Sequence, residues 1–233
     1  MVPEALVFDF DGTLVDTETA EYESVRRVWE AHGHAYDLLR WTPYVGTTNP
    51  VPWTQELEAL LGIPIDHAGL RARARRINRD LLHLVTARPG VTDLLAEAAD
   101  ADVPVAIASN APADWVEHHL DRLGLLHHFA QVVTVDRVER PKPHPEMYLT
   151  AVAGLGASPE RSVAFEDSAT GLAAARAAGL YTVAVPGPMS DGHDLAGADR
   201  LHASLAECTL HGLGEAIAPR ATAVPRPRSS LDR

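Results

Sequence analysis

Short apolar, largely β-branched runs recur along the chain: Ala5 to Phe8, Val103 to Ala108, Val132 to Val135, Ser162 to Phe165 and Tyr181 to Val185. Stretches with helical spacing lie between them. The segment after Ala108 has Pro112 near its first turn and Asp114 early. Trp115, Val116, Leu120 and Leu123 follow in its apolar positions, and Gly124 stands at its stop. That is the signature of one amphipathic helix. A second helix is predicted from about Ser168 to Ala178, closed by Gly179. Near-continuous apolar strands alternating with helices predict an α/β fold, a Rossmann-like parallel sheet covered by helices on both faces.

About 90 residues separate the first run from the second, far more than a strand-to-strand crossover needs. Their pattern is helical throughout. Glu18 to His32 closes at Gly33, Pro52 to Leu61 closes at Gly62, and Asp66 to Val85 carries Leu70, Ala74, Ile77, Leu81 and Leu84 at helical spacing. A small helical cap is therefore expected over residues 16–86. Residues 1–15 and 87–213 would form the core, restarting at the Arg88-Pro89-Gly90 turn. From about 214 to 233 the spacing of Pro219, Pro225 and Pro227 and the Ser-Ser pair predict a disordered tail.

Composition narrows the partners. A net charge of -12 disfavours a nucleic-acid footprint or attachment to an anionic membrane, and no apolar segment is long enough to span a bilayer. A single cysteine, Cys208, excludes an internal disulfide framework, and the first residues lack the basic and apolar regions of a secretory signal. The expectation is a cytoplasmic protein acting on small molecules. Its oligomeric state is left open by the sequence, a monomer being the simpler expectation. Among 20 basic residues only Lys142 is a lysine.

Polar groups fall where the predicted strands end, the edge at which open α/β sheets bind ligands. Asp9 and Asp11 follow the first strand, in Asp9-Phe10-Asp11-Gly12-Thr13, and Ser109-Asn110 follows the second. Lys142 lies on a loop after the third, and Glu166-Asp167-Ser168 follows the fourth. Buried acids need a cation, so this convergence already implies one.

With these four stretches in order, the chain resembles the haloacid dehalogenase-like superfamily, and most closely its branch of small phosphatases and β-phosphoglucomutases. The resemblance covers residues 5 to about 210. It rests on Asp9 to Glu18, Ser109, Lys142 to Tyr148, and Glu166 to Gly171 with Ala175-Arg176-Ala177-Ala178-Gly179. It implies Mg²⁺-dependent hydrolysis of a small phosphorylated metabolite of sugar-phosphate type. The residue types suit that chemistry. Asp9, ionised at neutral pH, is the candidate nucleophile for an aspartyl-phosphate. Asp11 is the candidate acid and base. Asp9, the backbone carbonyl of Asp11, and Asp167 form an all-oxygen set for Mg²⁺. Lys142 supplies compact positive charge, while Ser109, Asn110, Gly12 and Thr13 would hold the phosphate, with Glu166 and Ser168 in support. In the cap, Thr17, Tyr44 and Thr47 are the candidates for substrate recognition. The arginines from Arg71 to Arg79 read as a solvated helix face.

Asp11 favours phosphoryl chemistry over dehalogenation, since halide needs no proton to leave. Mutases of this branch carry a His in the first cap helix and an Arg in the next cap loop. Thr19 to Tyr22 has no His and Gly46 to Asn49 no Arg, so hydrolysis is expected over isomerisation. A phospho-acceptor receiver also gathers Asp residues at strand ends, but its acceptor Asp does not lie in a first-strand DxDGT and it has no inserted cap. A non-catalytic binding module would lack a catalytic position, and none is missing.

Overall fold

The computed structural model describes residues 2–190 and 193–221. Six strands form one sheet: β1 (Ala5–Phe8), β2 (Val105–Ser109), β3 (Phe129–Thr134), β4 (Ser162–Glu166), β5 (Tyr181–Ala184) and the two-residue β6 (Arg200–Leu201). Their order is β3-β2-β1-β4-β5-β6, with every pair parallel. The five apolar runs thus become the five inner or longer strands. β6 escaped the sequence pattern because both its residues are exposed and carry no apolar run. β3 begins three residues before its predicted start, at Phe129, where it pairs with Val105.

The side-chain alternation of β1 sorts the two layers. Leu6 and Phe8 face one way and pack with Ile107, Phe165 and Val183 against α4 (Val91–Asp100) and α5 (Ala113–Arg122). Phe8 and Phe165 are register partners and stack with ring centroids 4.6 Å apart. Val7 faces the other way with Ala106, Ala108 and Ala164, against α6 (Glu146–Gly154) and α7 (Ala169–Ala177). Small strand residues on that side let the two helices approach closely.

The segment between β1 and α4 is helical, as its periodicity indicated: α1 (Thr17–Glu30), α2 (Trp53–Leu61) and α3 (His67–Leu82), with 3₁₀ turns at Leu38–Arg40 and Thr42–Tyr44. Asp16 caps α1 by accepting from Thr19 N at 3.1 Å, and Asp66 caps α3 by accepting from Gly69 N at 2.9 Å. Val28, Trp29, Tyr36, Trp41, Trp53 and Leu57 form a hydrophobic centre of their own. α3 stops three residues short of the predicted Val85, and Leu84 is 80% exposed. The chain leaves and re-enters the sheet region side by side: Val15 bridges Ala87, and Arg88 N donates to Leu14 O at 2.8 Å.

The expected disorder from residue 214 is corrected in part. The final helix, α8 (Leu210–Ala221), continues through it, because Leu213 and Ile217 are spaced one turn apart and bury against the sheet core. The remainder of the predicted tail, residues 222–233, lies outside the described residues. No helix among the described residues is long and apolar enough to cross a membrane.

His119 on α5 is 4% exposed, and its Nδ1 has no partner among the described residues. Burial pushes its pKa down to about 4, with Arg122, His118 and His83 adding to the effect. It is therefore neutral when folded, whereas the unfolded chain takes up a proton near pH 6.5. Its contribution is complete above the unfolded pKa and is lost as pH falls from about 6.5 towards 4, costing roughly 2 kcal/mol at pH 4.5. Urea midpoints of wild type and His119→Phe at pH 7.5 and 4.5 check this: the variant is expected to lose clearly less stability between the two.

Candidate active site

Because all strands are parallel, their C-terminal ends share one edge, and the chemistry collects there. Asp9 directly follows β1 and is tied to β4 by its N–H, which donates to Phe165 O at 3.0 Å. Ser109 and Glu166 end β2 and β4, and Asp167 follows. Lys142 arrives on the loop between β3 and α6. Its Nζ donates to Asp9 Oδ1 at 2.7 Å and to Glu166 Oε1 at 2.6 Å. Tyr148 on α6 donates its hydroxyl to the same Glu166 oxygen at 2.5 Å, and Ser168 Oγ donates to Oε2 at 3.2 Å. Lys142 is 5% exposed, so the one lysine of the chain is a buried charge held by two carboxylates.

Carboxylate oxygens of Asp9, Glu166 and Asp167 lie within 4.8 Å of one another. One ammonium faces three buried acids there, and the balance is visible in their titration. Burial, then Asp9 and Glu166 nearby, raise the Asp167 carboxyl well above its ordinary value. Burial also raises Glu166, although Lys142 pulls it back. Lys142 itself is held above its ordinary value, since Asp9 and Glu166 outweigh the effect of burial. A cation fits this surplus of negative charge, and all-oxygen donors suit a hard dication. Asp167 Oδ2 accepts from Ser190 Oγ at 2.8 Å. Room beside Asp167 is secured by Gly12, at φ +82°, where a Cβ would collide with that carboxylate. Arg88 braces the same loops, donating to the carbonyls of Gly12, Val185 (3.1 Å) and Pro186 (2.7 Å).

Asp11 stands apart from the three clustered acids. Its Oδ1 accepts from Thr17 Oγ1 at 2.5 Å and from Trp115 Nε1 at 3.0 Å. Burial pushes its carboxyl up to about 6, against the pull of those two donors. Its backbone carbonyl accepts no hydrogen bond among the described residues.

A cavity of about 950 Å³ opens over these groups, between α1 and α3 on one side and α5 on the other. Asp9, Asp11, Ser109, Lys142, Thr17 and Thr47 all reach it. So do Glu18 and Glu21 of α1, whose carboxyls are pushed up by burial, Glu21 to about 7 although it is open to the cavity. Arg75 and Arg79 line it from α3, one turn apart, with no ion pair among the described residues. Part of the arginine run thus borders the cavity while staying exposed.

Several residues do different work from that expected. Gly12 N donates to Val15 O at 2.8 Å and closes a turn, so it is not free for a phosphate, and neither Gly12 nor Thr13 reaches the cavity. Thr13 is fully buried, its hydroxyl without a partner among the described residues. Asn110 spends its side chain on positioning: Oδ1 accepts from Lys142 N at 2.9 Å, and Nδ2 donates to Lys142 O at 3.3 Å and Gly46 O at 3.2 Å. Tyr44 does not reach the cavity, because it closes a 3₁₀ turn and its carbonyl receives Thr47 N at 3.1 Å and Thr47 Oγ1 at 2.9 Å. Trp115, Glu18 and Glu21 were missed. The acids at 18 and 21, with Thr17 beside them, form a polar stripe that a helical wheel of α1 reveals. Trp115 was absorbed into the apolar stripe of α5, though its neighbour Val116 occupies the buried face.

A parallel sheet with acids at its strand ends, a buried lysine among them and a helical insertion after the first strand defines a hydrolase of the haloacid dehalogenase type. The family model for haloacid dehalogenase-like hydrolases matches residues 6–185, and the chain belongs to that family. YhcW of Bacillus subtilis is 39% identical over 183 residues, covering 78% of this chain and 83% of that protein. The phosphorylated carbohydrates phosphatase of Thermotoga maritima is 34% identical over 183 residues, 77% and 83% of the two chains. Among solved structures, a family hydrolase from Deinococcus radiodurans R1 with bound phosphate and sodium is similar. It superposes with a TM-score of 0.77 at 31% identity, over 91% of this chain and 96% of that one.

Proposed function

We propose that this protein is a Mg²⁺-dependent phosphatase that hydrolyses a small phosphorylated carbohydrate through an aspartyl-phosphate on Asp9. The observation that carries the reading is the buried cluster of Asp9, Lys142, Glu166 and Asp167, of which Asp9 and Lys142 open beside Asp11 on one cavity. The relatives named for phosphorylated sugars support the substrate class. Asp9, the Asp11 carbonyl and Asp167 would hold Mg²⁺, which when bound offsets the negative charge of the acids and the phosphate.

The chain's own groups account for the steps. Lys142 fixes Asp9 Oδ1, leaving the other oxygen to form a bond to phosphorus. Lys142 also carries positive charge towards the phosphoryl oxygens, and Ser109 at the end of β2 offers a hydroxyl to them. As the bond from phosphorus to the sugar oxygen breaks, Asp11 gives its proton to that oxygen; a carboxyl titrating near 6 can do so at neutral pH. The alcohol leaves. Asp11, now ionised, takes a proton from water as the water oxygen attacks phosphorus, and Asp9 departs as a carboxylate. Residues of α1 and α3, which line the cavity, would border the leaving alcohol.

Hydrolysis is favoured over isomerisation because Glu21, not a histidine, faces the cavity on α1. A panel of phosphorylated sugars, followed for inorganic phosphate, tests the proposal. Release is expected with Mg²⁺ and should fall at least about 100-fold with a chelator. Independently of turnover, Mg²⁺ at 100 times its Kd should stabilise the protein by about 2.7 kcal/mol in thermal unfolding. Isomerised sugar without phosphate release would establish a mutase instead. No turnover on any phosphoester would leave a binding module.

A further inference from the structure

The two hydrogen bonds to Asp11 differ in kind. Thr17 Oγ1 can donate or accept, so by itself it leaves open which carboxyl oxygen of Asp11 carries the proton. The indole N–H of Trp115 can only donate, and the carbonyl oxygen of a protonated carboxyl accepts from it better than the hydroxyl oxygen does, so this bond favours the proton on the other oxygen. Both bonds fall on Oδ1, and Oδ2 has no partner among the described residues. The indole is itself held. Its ring meets that of His119 at 4.4 Å and 68°, His119 is 4% exposed, and the His119 ring lies 6.3 Å from that of Phe10, the residue before Asp11. Thr17 begins the inserted helical layer, whereas Trp115 sits in the first turn of α5 on the sheet core. Asp11 is thus gripped from both sides, and the Trp115 grip does not depend on where the inserted layer stands.

We propose that Trp115 is a positioning residue for Asp11: by fixing Oδ1 as the acceptor, it places the transferable proton on Oδ2 and aims it at the oxygen of the departing alcohol. This rests on the reading of Asp11 as the acid. The step is the one given above: the Oδ2–H proton goes to the sugar oxygen as its bond to phosphorus breaks. An alkoxide needs that proton, whereas p-nitrophenolate leaves without it. Misaiming the proton therefore slows alkyl phosphates selectively.

The test compares kcat/KM, which reports events up to phosphoryl transfer to Asp9, for an alkyl phosphate and for p-nitrophenyl phosphate. Trp115→Phe, and the benzothiophene isostere of tryptophan incorporated at 115, keep ring bulk and remove the N–H. Both are expected to lose about 10-fold on the alkyl ester, the size of one ordinary hydrogen bond, and about twofold or less on the aryl ester. The inhibition constant of inorganic phosphate should not move. Should Trp115→Phe fail to fold, the isostere, which preserves shape, decides alone. Equal losses on both esters, or none, overturn the proposal, as does a loss confined to Trp115→Phe, which would make the indole a packing contact. Asp11→Asn separates the two ideas. If its loss is no greater on alkyl than on aryl esters, the assignment of Asp11 is what fails; if its loss is selective for alkyl esters and that of the Trp115 variants is not, Trp115 is not its positioning residue.

Discussion

Asp9→Asn is expected to reduce phosphate release by roughly 10³-fold or more on every phosphoester, aryl and alkyl alike, because the amide oxygen is no nucleophile. The loss should be chemical rather than structural. An asparagine oxygen can still accept from Lys142, which keeps Glu166 as its second partner. Removing one of three clustered negative charges also relieves repulsion, so the melting temperature should hold or rise. Phosphate-release assays with thermal unfolding of the same preparation check both halves. A variant retaining a tenth of wild-type turnover would remove Asp9 from the reaction.

Lys142→Met should damage both activity and stability. It leaves Asp9, Glu166 and Asp167 buried without the ammonium that contacts two of them, and uncompensated buried charge of this kind costs about 3–5 kcal/mol. Lys142→Arg is not expected to rescue it, since a planar five-donor group must fit a site 5% exposed and shaped around a point charge. Adding Glu166→Gln to Lys142→Met should recover part of the lost stability but none of the activity. Urea unfolding across the double-mutant cycle measures the coupling. Strict additivity of the two substitutions would mean that the 2.6 Å contact contributes nothing.

What could be read from the chain follows from what leaves a local trace. Parallel strands bring their C-terminal ends together whatever lies between, so Asp9, Ser109, Lys142, Glu166 and Asp167 could be gathered from four separate stretches. The sharp turn at Gly12 was legible from its type, but the role of Asn110 was not: it clasps the backbone of a residue 32 positions away, a pairing with no sequence signal. Tyr44 and Trp115 exchange places for a similar reason. An aromatic in the inserted layer looked like a ligand contact and instead belongs to a tight turn, while one on a sheet helix looked like core and instead reaches Asp11. The α8 extension was hidden by Pro219 and the prolines that follow in the sequence, which flagged disorder where Leu213 and Ile217 supply enough burial to continue the helix.

The clasp at Asn110 has a consequence for how substrate is admitted. Its two bonds to Lys142 lie wholly within the sheet-borne half of the molecule, and only the 3.2 Å contact to the Gly46 carbonyl reaches across. Swinging the helical layer aside would sever that contact, the Thr17 bond to Asp11, the one between His193 and the Thr42 carbonyl and, at the layer's end, that of Arg122 to the Val85 carbonyl. The inserted layer can therefore part from the sheet at the cost of a few weak links, while the cluster of Asp9, Lys142 and Glu166 behind it stays assembled.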